Sequence, residues 1–327
     1  MSKVILHIGT HKTATTTIQN TFHENSALLA RHGMVYPRLG RNAGHHGLVH
    51  GWKNMLDAYK LPEGSLAALE RIAKDHASSD RTVLLSSEEF SRERAIGEMG
   101  PIREILSAFD EIEVICILRT QWQFLQSVYL EMSKRRVPPR PSALVNPVIE
   151  NGHHGGLWVD YTRLLRSLER HFAPEEITFL DFDTARSAEG GVIGSFLRHL
   201  RLDLSAADLK PVNDGAANVS PMSLASWAAN VLSEPDVARP ELVALATEGM
   251  KEEYGEDVRP CLFTRDEFAR LETHFSELNK ELSRRRKAVQ PDFAISPARA
   301  ENLTLFRNGV SNAYWIRLGR MLSTRAF

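Results

Sequence analysis

A three-layer α/β/α fold around a central, mostly parallel sheet is what this sequence predicts, on three observations. Short β-branched apolar runs recur through the first half of the chain, each too short for a helix. Helical patterns fill the intervals between them. The runs are continuously apolar rather than alternating, as strands are when both faces of their sheet are covered.

The first strand is expected over 4–8, the run Val4-Ile5-Leu6-His7-Ile8, ended by Gly9. After a polar loop, a helix is expected from Thr17, carrying Leu28 and Leu29 before Gly33 stops it. Further strands are expected over 82–86, 113–118 and 177–180, with helices over 66–77, 102–109, 122–134 and 161–172. The later half reads as largely helical, over 192–200, 223–231, 265–287 and 312–322. Proline and glycine are spread along the chain rather than gathered into a linker, so one domain over 1–327 is expected. The basic runs at 134–136 and 284–287 sit at expected helix ends, where solvated charge facing the helix C-terminus is the ordinary reading.

A net charge of −1 argues against a general nucleic-acid role, which needs a basic field, and leaves room for a basic pocket around one small anion. Cys116 and Cys261 are the only cysteines and make neither a zinc spacing nor a disulfide framework, which points to a reducing compartment. The short apolar run at the N-terminus does not read as a secretory leader, and no segment approaches ~20 uninterrupted apolar residues. A soluble, cytoplasmic protein is the expectation.

Chemistry is expected at the C-terminal ends of the strands, where a parallel sheet places its ligands. The first polar cluster there is Gly9-Thr10-His11-Lys12-Thr13-Ala14-Thr15-Thr16-Thr17. A loop between a strand and a helix N-terminus offers unpaired N–H groups to an anion, and the helix dipole favours negative charge there. Lys12 adds a positive charge, and the hydroxyls of Thr15, Thr16 and Thr17 add donors. This is a P-loop-like arrangement without the Walker A pattern, because Lys12 follows His11 only three residues after Gly9. The plainer alternative is helix capping, with Thr13 as N-cap.

The string from His7 to Thr16 resembles the 5′-phosphosulfate loop of the sulfotransferase family, above all its bacterial branch. Ala14 stands where the family usually has glycine, and must take a negative φ or accept a small strain. Arg119, at the end of the third predicted strand, precedes Ser127 by eight residues. That spacing is similar to the family's 3′-phosphate site, and arginine suits bidentate phosphate binding. Phe306-Arg307-Asn308-Gly309-Val310 looks like the family's late loop over the 3′-phosphate, with Asn308 in place of lysine. The resemblance implies 3′-phosphoadenosine 5′-phosphosulfate (PAPS) as sulfonate donor. Its binding set is then His11, Lys12, Thr13, Ala14, Thr15, Thr16, Thr17, Arg119, Ser127 and Arg307.

Sulfonyl transfer to an alcohol needs a base, and Ser86-Ser87-Glu88-Glu89 follows the second predicted strand. If the chain is extended there, neighbouring side chains diverge and only one carboxylate faces the sulfonate; Glu88 is the choice. Lys12 would stabilise the leaving phosphate. No metal is required. His45, His46 and His50, and His153 with His154, lie in glycine-containing loops without ligand companions and read as acceptor-side residues, one of the first group being an alternative base. The acceptor is a hydroxyl on a carbohydrate, a lipid-linked sugar or a small alcohol. Competing readings are an atypical P-loop kinase using ATP and a nucleotide-binding module without catalysis.

Overall fold

The structure, a computed structural model, describes residues 1–212 and 220–324. The chain divides into two compact units: Met1–Thr120 with Gly152–Ala216 and Leu278–Ser296, and Gln121–Asn151 with Ala217–Glu277 and Pro297–Phe327.

The first unit is built on five strands, β1 (Lys3–Gly9), β2 (Met34–Val35), β3 (Thr82–Ser86), β4 (Glu111–Leu118) and β5 (Ile177–Asp181). They pair in the order β2-β3-β1-β4-β5, every pairing parallel. The expected strands are all present, and the two-residue β2 is an edge strand too short to read from sequence. Alternation along β1 divides the core in two. Val4, Leu6 and Ile8 enter one cluster with Val83, Leu85, Val114, Cys116, Leu69, Ile72, Leu164 and Leu165. Ile5 enters the other with Leu84, Ile115, Ile117, Ile18, Phe22, Phe196 and Leu197. Helices therefore cover both faces, which is why the strand sequences are apolar throughout.

The helix expected to run unbroken to Gly33 is split in two, α1 (Thr15–Glu24) and α2 (Ser26–Arg31). Asn25 makes the break: its amide donates to the Thr21 carbonyl at 2.8 Å and to the Lys210 carbonyl at 3.2 Å. Asparagine competes with the helix for backbone partners in this way.

The second unit is helical, with Gln121–Met132, Ser142–Asn151, Ser223–Ser233, Pro240–Tyr254 and Asn312–Thr324. Its core holds Leu224, Ala228, Leu245, Met250, Tyr314 and Leu318. Pro147 lies inside one of these helices, and a proline there hides the helix from a sequence reading. Among the described residues, no helix is long and apolar enough to cross a membrane.

The basic run at 284–287 is only partly solvated. Arg284 is largely exposed beside Glu281, whereas Arg286 is 1% exposed. Its Nη2 donates to the Ile177 carbonyl at 2.5 Å, its Nη1 to Pro174 at 3.0 Å, and its guanidinium lies 5.7 Å from the Phe179 ring centroid. Successive helical residues point about 100° apart, so one run holds both a surface and a core arginine. Arg286→Met keeps the bulk but strands two carbonyls at the entry to β5, and should cost about 2–4 kcal/mol in urea unfolding. A loss within ~0.5 kcal/mol, as for a surface residue, would contradict this account.

Candidate active site

The loop after β1 is fixed at both ends. Gly9 has φ 83°, and a Cβ there would stand 2.9 Å from the Cβ of Glu88, so both conformation and space require glycine. Thr10 ties the loop to β4, its N–H and hydroxyl donating to the Ile117 carbonyl at 2.8 and 3.1 Å. The fully buried Thr13 hydroxyl turns back to the Thr10 carbonyl at 2.6 Å. Thr13 is thus not the helix cap. That position belongs to Ala14, at φ 62° and ψ 24° with no side-chain cap bond. The structure takes the strained option for Ala14, and Lys12 is also left-handed at φ 60°. Each costs about 1–2 kcal/mol.

The strain shapes the loop into an open helix start. The first bond of α1 runs from the Ile18 N–H to the Ala14 carbonyl. The N–H groups of Thr15, Thr16 and Thr17 therefore have no acceptor within the helix. The helix begins at Thr15 rather than Thr17, with Thr15 buried and Thr16 exposed. Lys12 and His11 are half-buried beside it.

Glu88 and Glu89 diverge, but not because the chain is extended. Glu88–Ser91 is a 3₁₀ turn, whose successive side chains point about 120° apart. Glu88 accepts from the Gln19 amide at 2.8 Å, and Gln19 is 3% exposed. Glu89 accepts from His11 Nε2 at 3.1 Å and from Arg92 Nε. Burial alone would raise the Glu89 carboxyl, but hydrogen bonds and positive charge from His11 and Arg92 outweigh it and hold the group at about 2. One carboxylate is held as an anion between the Arg92 guanidinium and the His11 ring; the other meets a neutral amide. Sequence reading missed Gln19, although it sits four residues after Thr15, on the same face of α1.

Arg119 leaves β4 toward the loop, its Nη1 donating to the Lys12 carbonyl at 3.3 Å. Its guanidinium lies 5.0 Å from the Phe182 ring centroid, and burial pushes it down to about 10. Tyr161 holds its backbone through a 2.6 Å bond to the Arg119 carbonyl. The first unit thus brings Lys12, the threonines, Arg119 and Glu88 to one edge of the sheet. Ser127 and Arg307 belong to the second unit. Ser127 is 8% exposed on its helix. Arg307 gives its Nη2 to both oxygens of Glu267 at 2.6 and 2.7 Å and its Nε to the Leu262 carbonyl at 3.1 Å.

His45 uses both ring nitrogens. Nδ1 accepts from the Ser86 N–H at 2.9 Å and Nε2 donates to the Pro37 carbonyl at 2.7 Å. Burial, the largest effect, pushes it down to about 4. This ring pins its loop to the end of β3. His46 Nδ1 meets the Ser87 hydroxyl at 2.8 Å, and His50 Nδ1 meets Ser65 at 3.3 Å. His153 and His154 form a short antiparallel ribbon with Leu157–Trp158, joined to the Glu89 turn by Arg92 Nη1 donating to the Gly155 carbonyl at 3.3 Å.

No family model matches the chain, and no curated protein sequence does. Among solved structures it is similar to a sulfotransferase from Alicyclobacillus acidocaldarius, at 14% identity and a TM-score of 0.43, over 74% of this chain and 94% of that one.

Because the Glu89 carboxyl is lowered from 4.5 to about 2 on folding, its stabilisation is fully present above pH ~4.5 and is lost as pH falls from ~4.5 to ~2. Glu89→Gln should therefore be less stable than the parent at pH 6, by at most about 3 kcal/mol, and the gap should close through that window. Urea unfolding of both proteins across the pH range checks this. A gap independent of pH would show that the carboxylate is not held by charge.

Proposed function

We propose that the chain is a sulfotransferase that binds PAPS and moves its sulfonate to a hydroxyl of a carbohydrate, lipid-linked sugar or small-alcohol acceptor. The observation that carries the reading is the meeting of Arg119 with the loop after β1, its Nη1 on the Lys12 carbonyl at 3.3 Å. One basic edge then holds an uncapped helix start, a lysine and a half-buried arginine, which suits a donor bearing phosphate groups at two separate positions. Sequence adds the early lysine of the loop and the Arg119-to-Ser127 spacing, both of which favour a 3′-phosphorylated nucleotide over ATP.

In this reading the N–H groups of Thr15, Thr16 and Thr17 receive the 5′-phosphosulfate, and Arg119 receives the 3′-phosphate. Lys12 neutralises charge on the bridging oxygen as the sulfur–oxygen bond to the nucleotide breaks. Glu88 accepts the proton of the acceptor hydroxyl while that oxygen attacks sulfur in line. Its partner Gln19 is a neutral amide, whereas Glu89 is bonded to His11 and Arg92. Glu89 instead braces His11 and Arg92, and thereby the loop.

Single-turnover transfer at saturating PAPS to a panel of hydroxyl acceptors tests these roles, because saturation keeps binding defects out of the rate. Glu88→Gln should lose roughly 10²–10⁴-fold, Lys12→Ala roughly 10²-fold or more, and Glu89→Gln much less. A parental rate in Glu88→Gln would remove Glu88 as the base. An unchanged kcat in Lys12→Ala would remove the lysine's role.

A further inference from the structure

After β5 the chain turns into a short helix, Phe182–Ser187, fixed by Asp181, whose Oδ2 accepts from the Thr184 N–H at 2.9 Å and from the Ser296 hydroxyl at 2.5 Å. Phe182 is 8% exposed. Two guanidinium groups lie against its ring, Arg119 at 5.0 Å and Arg186 at 5.7 Å from the centroid. Each gains from the ring's negative face, but the charges oppose one another, and Arg186 adds to the downward push on Arg119.

Asp183 is the carboxylate set against this pair, and it favours the charge of Arg119. Its Oδ1 lies 3.0 Å from Arg186 Nη2, yet that oxygen is buried with no hydrogen-bond partner among the described residues. The contact is an ion pair without hydrogen-bond alignment, between an aspartate 17% exposed and an arginine 56% exposed. A buried carboxylate oxygen left this way is a poorly satisfied anion. Arg119 is the cation joined to the loop through the Lys12 carbonyl, and the Phe182 ring brings Arg186 beside it.

We propose that Arg186 is a second nucleotide-binding cation, which acts with Arg119 on the 3′-phosphate and is restrained by Asp183 until that phosphate arrives. This rests on the donor reading above. A phosphate dianion would offer Arg186 the aligned, charge-assisted bonds that Asp183 does not, and its negative charge would offset the repulsion between the two guanidinium groups at Phe182. The two side chains then act in opposite directions: Arg186 adds affinity for the 3′-phosphate, and Asp183 competes with it.

Calorimetric titration with 3′,5′-ADP and with 5′-ADP, on the full chain at low salt, tests the assignment. Arg186→Gln should weaken 3′,5′-ADP roughly tenfold and 5′-ADP less than about twofold. Asp183→Asn should tighten 3′,5′-ADP about threefold with little effect on 5′-ADP. Unchanged 3′,5′-ADP affinity in Arg186→Gln, equal loss of both nucleotides, or weaker 3′,5′-ADP binding in Asp183→Asn would each overturn the proposal. A parent protein that binds the two nucleotides equally would overturn the donor reading together with it, so the two failures are separable.

Discussion

At the end of β1 the backbone passes so close to the turn after β3 that position 9 has no space for a side chain. The Glu88 Cβ would lie 2.9 Å from a Cβ at Gly9, and the Thr15 Cγ2 3.2 Å from it. On the other flank, Thr10 is bonded twice to the Ile117 carbonyl of β4. Three parallel strands thus deliver their C-terminal ends to one place, and the loop, the carboxylate turn and Arg119 all take their positions from it. The left-handed residues Lys12 and Ala14 follow from the same confinement, because the chain must reverse into α1 within a few residues. Strain of this kind persists where surrounding bonds over-determine the backbone.

The two adjacent glutamates show how one turn sorts chemically identical groups. Glu89 is enclosed by His11 and Arg92 and held at about 2, a carboxylate whose work is to stay charged. Glu88 receives a neutral donor, Gln19, from α1. A general base must release as well as take a proton, and a carboxylate held at about 2 by its partners is badly suited to that. His45, which looked available from its glycine-containing loop, is taken out by the same logic: both of its ring nitrogens are spent on backbone.

The sheet and most helices were legible in the sequence because apolar runs of four to eight residues and helical periodicity are local signals. The cluster edges were legible too, since Gly9-to-Thr17, Ser86-to-Glu89 and Arg119 each follow a readable strand. What was not legible depends on contacts between distant segments. Nothing local marks Gln19 as the partner of Glu88, Arg286 as a core residue, or Asn25 as a helix break anchored on Lys210. The 3₁₀ form of Glu88–Ser91 escaped for a related reason. Ser87 caps that turn, its hydroxyl accepting from the Glu89 N–H at 3.3 Å, and the backbone is committed before the strand pattern would have ended it.

The donor reading turns on one functional group, the 3′-phosphate, and thermal unfolding of the parent protein addresses it without knowledge of the acceptor. Ligand that binds the native state raises the apparent stability, and at equal concentration the tighter ligand raises it more. With 3′,5′-ADP, 5′-ADP and ATP at equal concentration, the account predicts the largest rise in Tm for 3′,5′-ADP. Equal shifts for 3′,5′-ADP and 5′-ADP, or a larger one for ATP, would contradict it.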